Sequence, residues 1–178
     1  SPQGTTDLDG IYLSFMDAHL KGQVKPSLPT FQPYMLNRDD WLATELWPPR
    51  AARAQKLYLR GEALSSTPDA APDDRIFRSD PADPVPTIGG AICCTGDPDS
   101  RAGPLDQSPL EAREDLLIYT SEPFGNPLDI AGPLKAVLHV STNAPDTDLV
   151  VRLTDVGPDG RSILIQEGAL RLRYRNGF

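Results

Sequence analysis

Few side chains in this sequence have types and spacing suited to chemistry, and each candidate has a plainer reading beside it. The two histidines are His19 and His139. His19 lies at helical spacing from Phe15, and His139 lies between alternating apolar residues, so both read as structural side chains. The sequence lacks a Gly-x-Ser-x-Gly nucleophile elbow, a phosphate-cradling glycine loop and a His-Glu-x-x-His zinc pair. With no base placed beside a serine, no Ser-His-Asp relay is expected to operate within this chain, and no catalytic residue is assigned. Asp80 and Asp83 have the residue types of an acid–base pair. In a proline-rich turn, however, such carboxylates more simply bond to nearby backbone. Asp146 and Asp148 flank a turn, and one pair falls well short of the roughly 6–8 oxygens that calcium takes, so turn chemistry explains them. Asp106 and Arg113 have the signs of an ion pair that the sequence cannot itself locate. Cys93 and Cys94 are adjacent, a spacing that disfavours a mutual disulfide, and no zinc-type Cys/His cluster accompanies them. No metal and no cofactor are expected.

The segment Ser79–Gly90 stands out for its backbone instead. Pro81, Pro84 and Pro86 remove three donor groups and hold φ near −65°, which bars both helix and central strand. Each also pushes the preceding residue towards an extended conformation. Gly89-Gly90 then permits a tight change of direction. An ordered loop of this length among β-like segments is expected to serve a surface or a site.

The 178 residues suffice for one domain, or for one domain and part of another. A hydrophobic content of 39% supports a core, while 19 prolines and 14 glycines imply many turns. A net charge of −8 argues against nucleic acid and against anionic membrane surfaces as partners. No apolar run approaches the roughly 20 residues needed to cross a bilayer. No signal peptide opens the chain, which favours the cytoplasm. It starts at Ser1 rather than Met, though, so an upstream segment and the localisation stay open.

The elements that must position these residues fall into two styles. Asp7 or Asp9 caps a helix over Gly10–Leu20, which Gly22 stops. Its apolar stripe is Leu8, Tyr12, Phe15, Met16 and Leu20. Thr30–Leu36 reads as a strand, followed by an aromatic-bearing segment from Asp39 to Pro49. Beyond residue 54 short strands are expected at Gln55–Arg60, Arg75–Ser79 and Leu116–Thr120. Leu134, Ala136, Leu138 and Val140 alternate with polar residues as in a half-buried strand, and Leu149, Val151 and Leu153 repeat the pattern. Gly157-Pro-Asp-Gly160 makes a hairpin link to Ser162–Gln166, and Ala169–Tyr174 is expected as the last strand. Without βα alternation, an antiparallel sandwich is the natural architecture.

Several motifs then carry a resemblance. Phe15-Met-Asp-Ala-His-Leu-Lys-Gly22, Trp47-Pro-Pro49 and the loop from Asp80 to Gly90 resemble those of the cocaine esterase/NonD family of serine hydrolases. That family is related to X-Pro dipeptidyl-peptidases and α-amino acid ester hydrolases. Gly103-Pro-Leu-Asp-Gln-Ser-Pro109, Arg113, Asp115 and Tyr119-Thr-Ser121 continue the likeness. So do Ala144-Pro-Asp-Thr-Asp148, Leu153-Thr-Asp-Val156, Pro158-Asp-Gly-Arg161 and Arg171-Leu-Arg-Tyr-Arg175. The order and spacing agree along nearly the whole chain.

The resemblance implies a mainly β fold. Residues 1–50 would be the last helix and strand of an α/β-hydrolase domain with its linker. Residues 51–178 would be an antiparallel jelly-roll (galactose-binding-like) β-sandwich, incomplete at its C-terminal side. The Ser-His-Asp triad would lie outside this sequence. Ile92, Cys93 and Cys94 match positions that wall the acyl pocket, where small cysteines leave room; the plainer reading is that they pack under the loop. The partner would be a small ester or amide substrate, reached through the hydrolase domain, and a homo-oligomer is possible. The alternative is a stand-alone β-sandwich binding module, for example for carbohydrate, but the hydrolase-like helix and the 7% aromatic content argue against it.

Overall fold

In the computed structural model, which describes residues 7–24, 29–68, 74–92 and 100–177, the chain divides into two compact units. One comprises Ser1–Gln55 and Pro123–Lys135, the other Lys56–Glu122 and Ala136–Phe178.

The first unit opens with helix α1 (Leu8–Leu20). Asp7 is its N-cap, its carboxylate accepting from the Gly10 N–H at 2.9 Å. Lys21 closes the last turn by donating to the Asp17 carbonyl and by pairing with the Asp17 carboxylate at 2.6 Å. Gly22 follows with a positive φ of 67°, the helix stop read from the sequence. The expected apolar stripe is present but open: Tyr12 is 62% exposed and Leu20 78%, and only Ala18 of the helix is buried. Strands β1 (Tyr34–Met35) and β2 (Asp40–Trp41) pair antiparallel across a turn that places Asn37 and Asp39 in the left-handed region. Tyr34 and Trp41 meet edge-on at 5.2 Å, and Met35 is buried. The strand expected over Thr30–Leu36 thus shrinks to β1 and a separate Phe31–Thr44 bridge. Arg38 joins β2 to the 123–135 segment, pairing with Asp40 at 2.9 Å and Asp129 at 2.6 Å.

In the second unit β3 (Tyr58–Arg60) pairs antiparallel with β4 (Ala63–Ser65). The Leu116–Thr120 run meets β4 only through the parallel Ala63–Thr120 bridge. Arg75 donates to the carbonyls of Gly61 and Ile118 and lies 4.9 Å from the centre of the Tyr119 ring. The longest sheet is the antiparallel hairpin of β5 (Asp148–Val156) and β6 (Ser162–Arg171), with a register shift after Leu153. Its link is the Gly157–Gly160 turn, closed by Gly160 N–H donating to the Gly157 carbonyl at 3.0 Å.

Three strand expectations need correction. Ala169–Arg171 continues β6, and Leu172–Tyr174 forms a 3₁₀ turn rather than a last strand. Arg75–Ser79 joins no ladder among the described residues; there the Arg75 guanidinium donates to two carbonyls, but no neighbouring strand pairs with the backbone. Leu134–Val140 has the right alternation but no ladder among the described residues, and Val137 is 69% exposed. Alternation specifies two faces, but a strand also needs a neighbour to satisfy its backbone. The fold is mainly β, with one α-helix and antiparallel two-stranded sheets among the described residues, consistent with an incomplete sandwich.

Candidate functional site

The loop Ser79–Gly90 is held on a platform formed by residues 103–115 and the β5–β6 hairpin. Its first turn is an Asx turn: Asp80 accepts from Ala82 N–H through its carboxylate at 2.9 Å, while its carbonyl accepts from Asp83 N–H at 3.1 Å. Asp80 therefore works structurally, as its position in a proline-rich turn suggests. Asp83 is gripped twice by Arg113, through its carbonyl at 2.7 Å and its carboxylate at 3.1 Å. Arg113 also forms a two-pronged bond with Asp115 at 2.8 and 2.9 Å. These bonds raise the Arg113 pKa further above its usual value and hold Asp115 below the usual carboxylate range.

The far end of the loop is fastened by Gln107, which donates to the Ile88 carbonyl at 2.8 Å and the Leu105 carbonyl at 3.1 Å. Gly90 and Gly103 exchange two backbone hydrogen bonds of 2.9 Å. Both glycines of the pair Gly89-Gly90 have positive φ, which strains any other residue, and at Gly89 the neighbouring backbone also leaves no room for a side chain. A Cβ on Gly89 would sit 2.5 Å from the Gly103 carbonyl oxygen, and one on Gly90 would sit 2.1 Å from a Glu167 carboxylate oxygen. Glu167 is paired across the hairpin with Arg152 at 3.3 Å, and Arg152 also reaches the Pro86 carbonyl at 3.5 Å.

The platform is joined to β6. Gln107 N–H donates to the Ser162 carbonyl at 2.7 Å, and Leu164 N–H donates to the Leu105 carbonyl at 3.0 Å. Asp106 accepts from Ser162 N–H at 2.9 Å and Ser108 N–H at 3.0 Å, which lowers its pKa although burial opposes the shift. It does not pair with Arg113, whose fork is taken by Asp115 and Asp83. The Asp106–Arg113 pair weighed from the sequence is therefore corrected: Arg113 takes Asp115 and Asp83 instead.

Ile92 follows two residues after Gly90 and is half-buried, while Cys93 and Cys94 lie outside the described residues. His19 stacks on Phe15 at 4.3 Å, in keeping with its structural reading. Asp146 pairs with Arg173, and Asp148 makes a two-pronged bond with Arg171 at 2.7 and 2.8 Å. That cross-strand use, rather than a cation site, occupies the Asp-x-Asp pair. Among the described residues no group of three or more His, Cys, Asp or Glu side chains is placed to hold a metal ion. Sequence reasoning missed Gln107 and Glu167. Gln107 sits inside a recognised motif, but no spacing signals a reach back to Ile88, and Glu167 shows only as one polar residue on a strand.

Residues 18–178 match the model of the X-Pro dipeptidyl-peptidase C-terminal non-catalytic domain, and the chain belongs to that family. It is 33% identical to the cocaine esterase of a Rhodococcus species over 93% of this chain. The crystal structure of an aminopeptidase from a marine-sediment Thaumarchaeota archaeon is similar over 95% of the chain, at 27% identity and a TM-score of 0.74. The chain spans 30% of the length of each relative. The family read from the motifs and the mainly β fold therefore hold.

Proposed function

We propose that this chain is the non-catalytic part of a serine hydrolase that cleaves esters or amides, with the Ser-His-Asp triad supplied by an α/β-hydrolase domain outside this sequence. In this reading residues 1–50 belong with the hydrolase domain, and residues 51–178 are a jelly roll that walls the active site and stabilises the enzyme. The chemistry is acyl transfer: an activated serine attacks the carbonyl, an oxyanion hole holds the tetrahedral intermediate, and water releases the acid. Ile92, with Cys93 and Cys94 after it, forms part of the acyl-pocket wall. The observation that carries the reading is the proline loop, pinned at both ends to a β platform with its exit leading directly to Ile92. Such rigidity has value where a surface must be held in place against a substrate.

The test is to assay this 178-residue chain beside a longer protein carrying the hydrolase domain, on activated esters and X-Pro amides. Turnover is expected only from the longer protein. Turnover by the short chain that a serine-directed inhibitor abolishes would show that the nucleophile lies here, and would overturn the proposal.

A further inference from the structure

The loop Ser79–Gly90 cannot hold itself in place. Its three prolines donate no backbone hydrogen bonds, so its carbonyls depend on donors from elsewhere. Four of them have such donors: Arg113 on Asp83, Arg152 on Pro86, Gln107 on Ile88 and the Gly103 N–H on Gly90. Gln107 is distinctive among these. It is 3% exposed and spends its amide N–H groups on Ile88 and Leu105, yet its own side-chain oxygen has no hydrogen-bond partner among the described residues. An apolar side chain of similar volume would fill the same space without that desolvation cost, so the donor is what distinguishes glutamine here. Beyond Ile88 the path has little freedom, because Gly90 exchanges two backbone hydrogen bonds with Gly103 and Gly89 lies against the Gly103 carbonyl. Ile92 comes two residues later.

We infer that Gln107 and Arg113 are positioning residues that set the placement of Ile92 and, through it, the acyl-group preference of the enzyme. The inference rests on the proposed place of Ile92 in the acyl-pocket wall. Neither residue touches substrate. Arg113 holds the entry of the loop at Asp83, and Gln107 holds its exit at Ile88.

The test uses the longer protein with its hydrolase domain. Gln107→Met removes the donor at nearly constant volume, Arg113→Lys keeps the charge but loses the fork, and Ile92→Phe probes the wall directly. For each variant, kcat/KM is measured on an acetyl and a benzoyl ester, together with Tm and the rate of serine labelling by a small fluorophosphonate. Ile92→Phe and Gln107→Met are expected to change the acetyl-to-benzoyl ratio by about tenfold, and Arg113→Lys by about threefold. Labelling in the Gln107 and Arg113 variants is expected to stay within about twofold, which separates a shifted wall from a damaged nucleophile. If Ile92→Phe changes the ratio but a folded Gln107→Met or Arg113→Lys does not, the assignment fails for that residue while the wall reading stands. If Ile92→Phe leaves the ratio unchanged, the wall reading fails and the positioning role falls with it. Should Gln107→Met not fold, Arg113→Lys decides by the same measure.

Discussion

Asp106 accepts two backbone N–H groups, from Ser162 and Ser108, and Asp115 faces the Arg113 guanidinium, so both carboxyls titrate below their usual range. A carboxyl with a folded pKa depressed below its unfolded value of about 3.9 stabilises the fold fully above that value, and the contribution is lost as pH falls through the folded value. Urea midpoints of the second unit are therefore expected to be level from pH 7 to about 5 and to fall below about 4. Asp106→Asn should flatten part of that fall, since asparagine can still accept both bonds but has no proton to gain. An Asp106→Asn variant with an unchanged acid limb would remove Asp106 from this account. Asp148 with Arg171 adds the same sign at an exposed edge, where screening leaves little net stabilisation.

At the scale of elements, the β5–β6 hairpin depends on a few buried contacts at one end. Ser162 and Leu164 are buried where residues 105–107 bond alongside β6, whereas Val150 on β5 is 57% exposed. A two-stranded hairpin is marginal in water without a third layer or strand, so the 105–107 segment is its main local support. Leu164→Ala is expected to destabilise the second unit by about 2–5 kcal/mol, and Val150→Ala by less than about 0.5 kcal/mol, in urea melts. Equal losses at the two positions would mean that Val150 is as buried as Leu164. Helix α1 and the β5–β6 hairpin were legible in the sequence because caps, a turn and strict alternation are local signals. The 134–140 segment misled because alternation carries no information about whether a partner strand lies beside it.

At the scale of the whole molecule, the buried apolar side chains among the described residues are Ala18, Met35, Leu110 and Leu164, while Tyr12, Leu20, Val137 and Val150 are open to solvent. Helix α1 alone exposes Leu8, Tyr12, Phe15, Met16 and Leu20, and apolar side chains gathered on one element in this way mark a face that packs against something. If the proposed hydrolase domain and further strands cover them, this chain alone should bind a hydrophobic dye such as ANS strongly and the longer protein weakly. Equal binding by the two would argue that these faces stay open in the enzyme.

The sequence by itself determined the helix with an aspartate cap at Asp7 or Asp9, the Gly157–Gly160 turn, the stiff proline loop and the family to which the chain belongs. Each of these depends on φ, ψ and side chains within a few positions of one another, or on motifs in fixed order. Only the tertiary structure decided that Arg113 takes Asp83 and Asp115 rather than Asp106, that Gln107 reaches back to Ile88, and that Gly89 must be bare because the Gly103 carbonyl lies against it. Those contacts depend on how distant segments are brought together. Many carboxylates and amides would satisfy the same donors equally well, so the path of the chain selects among them.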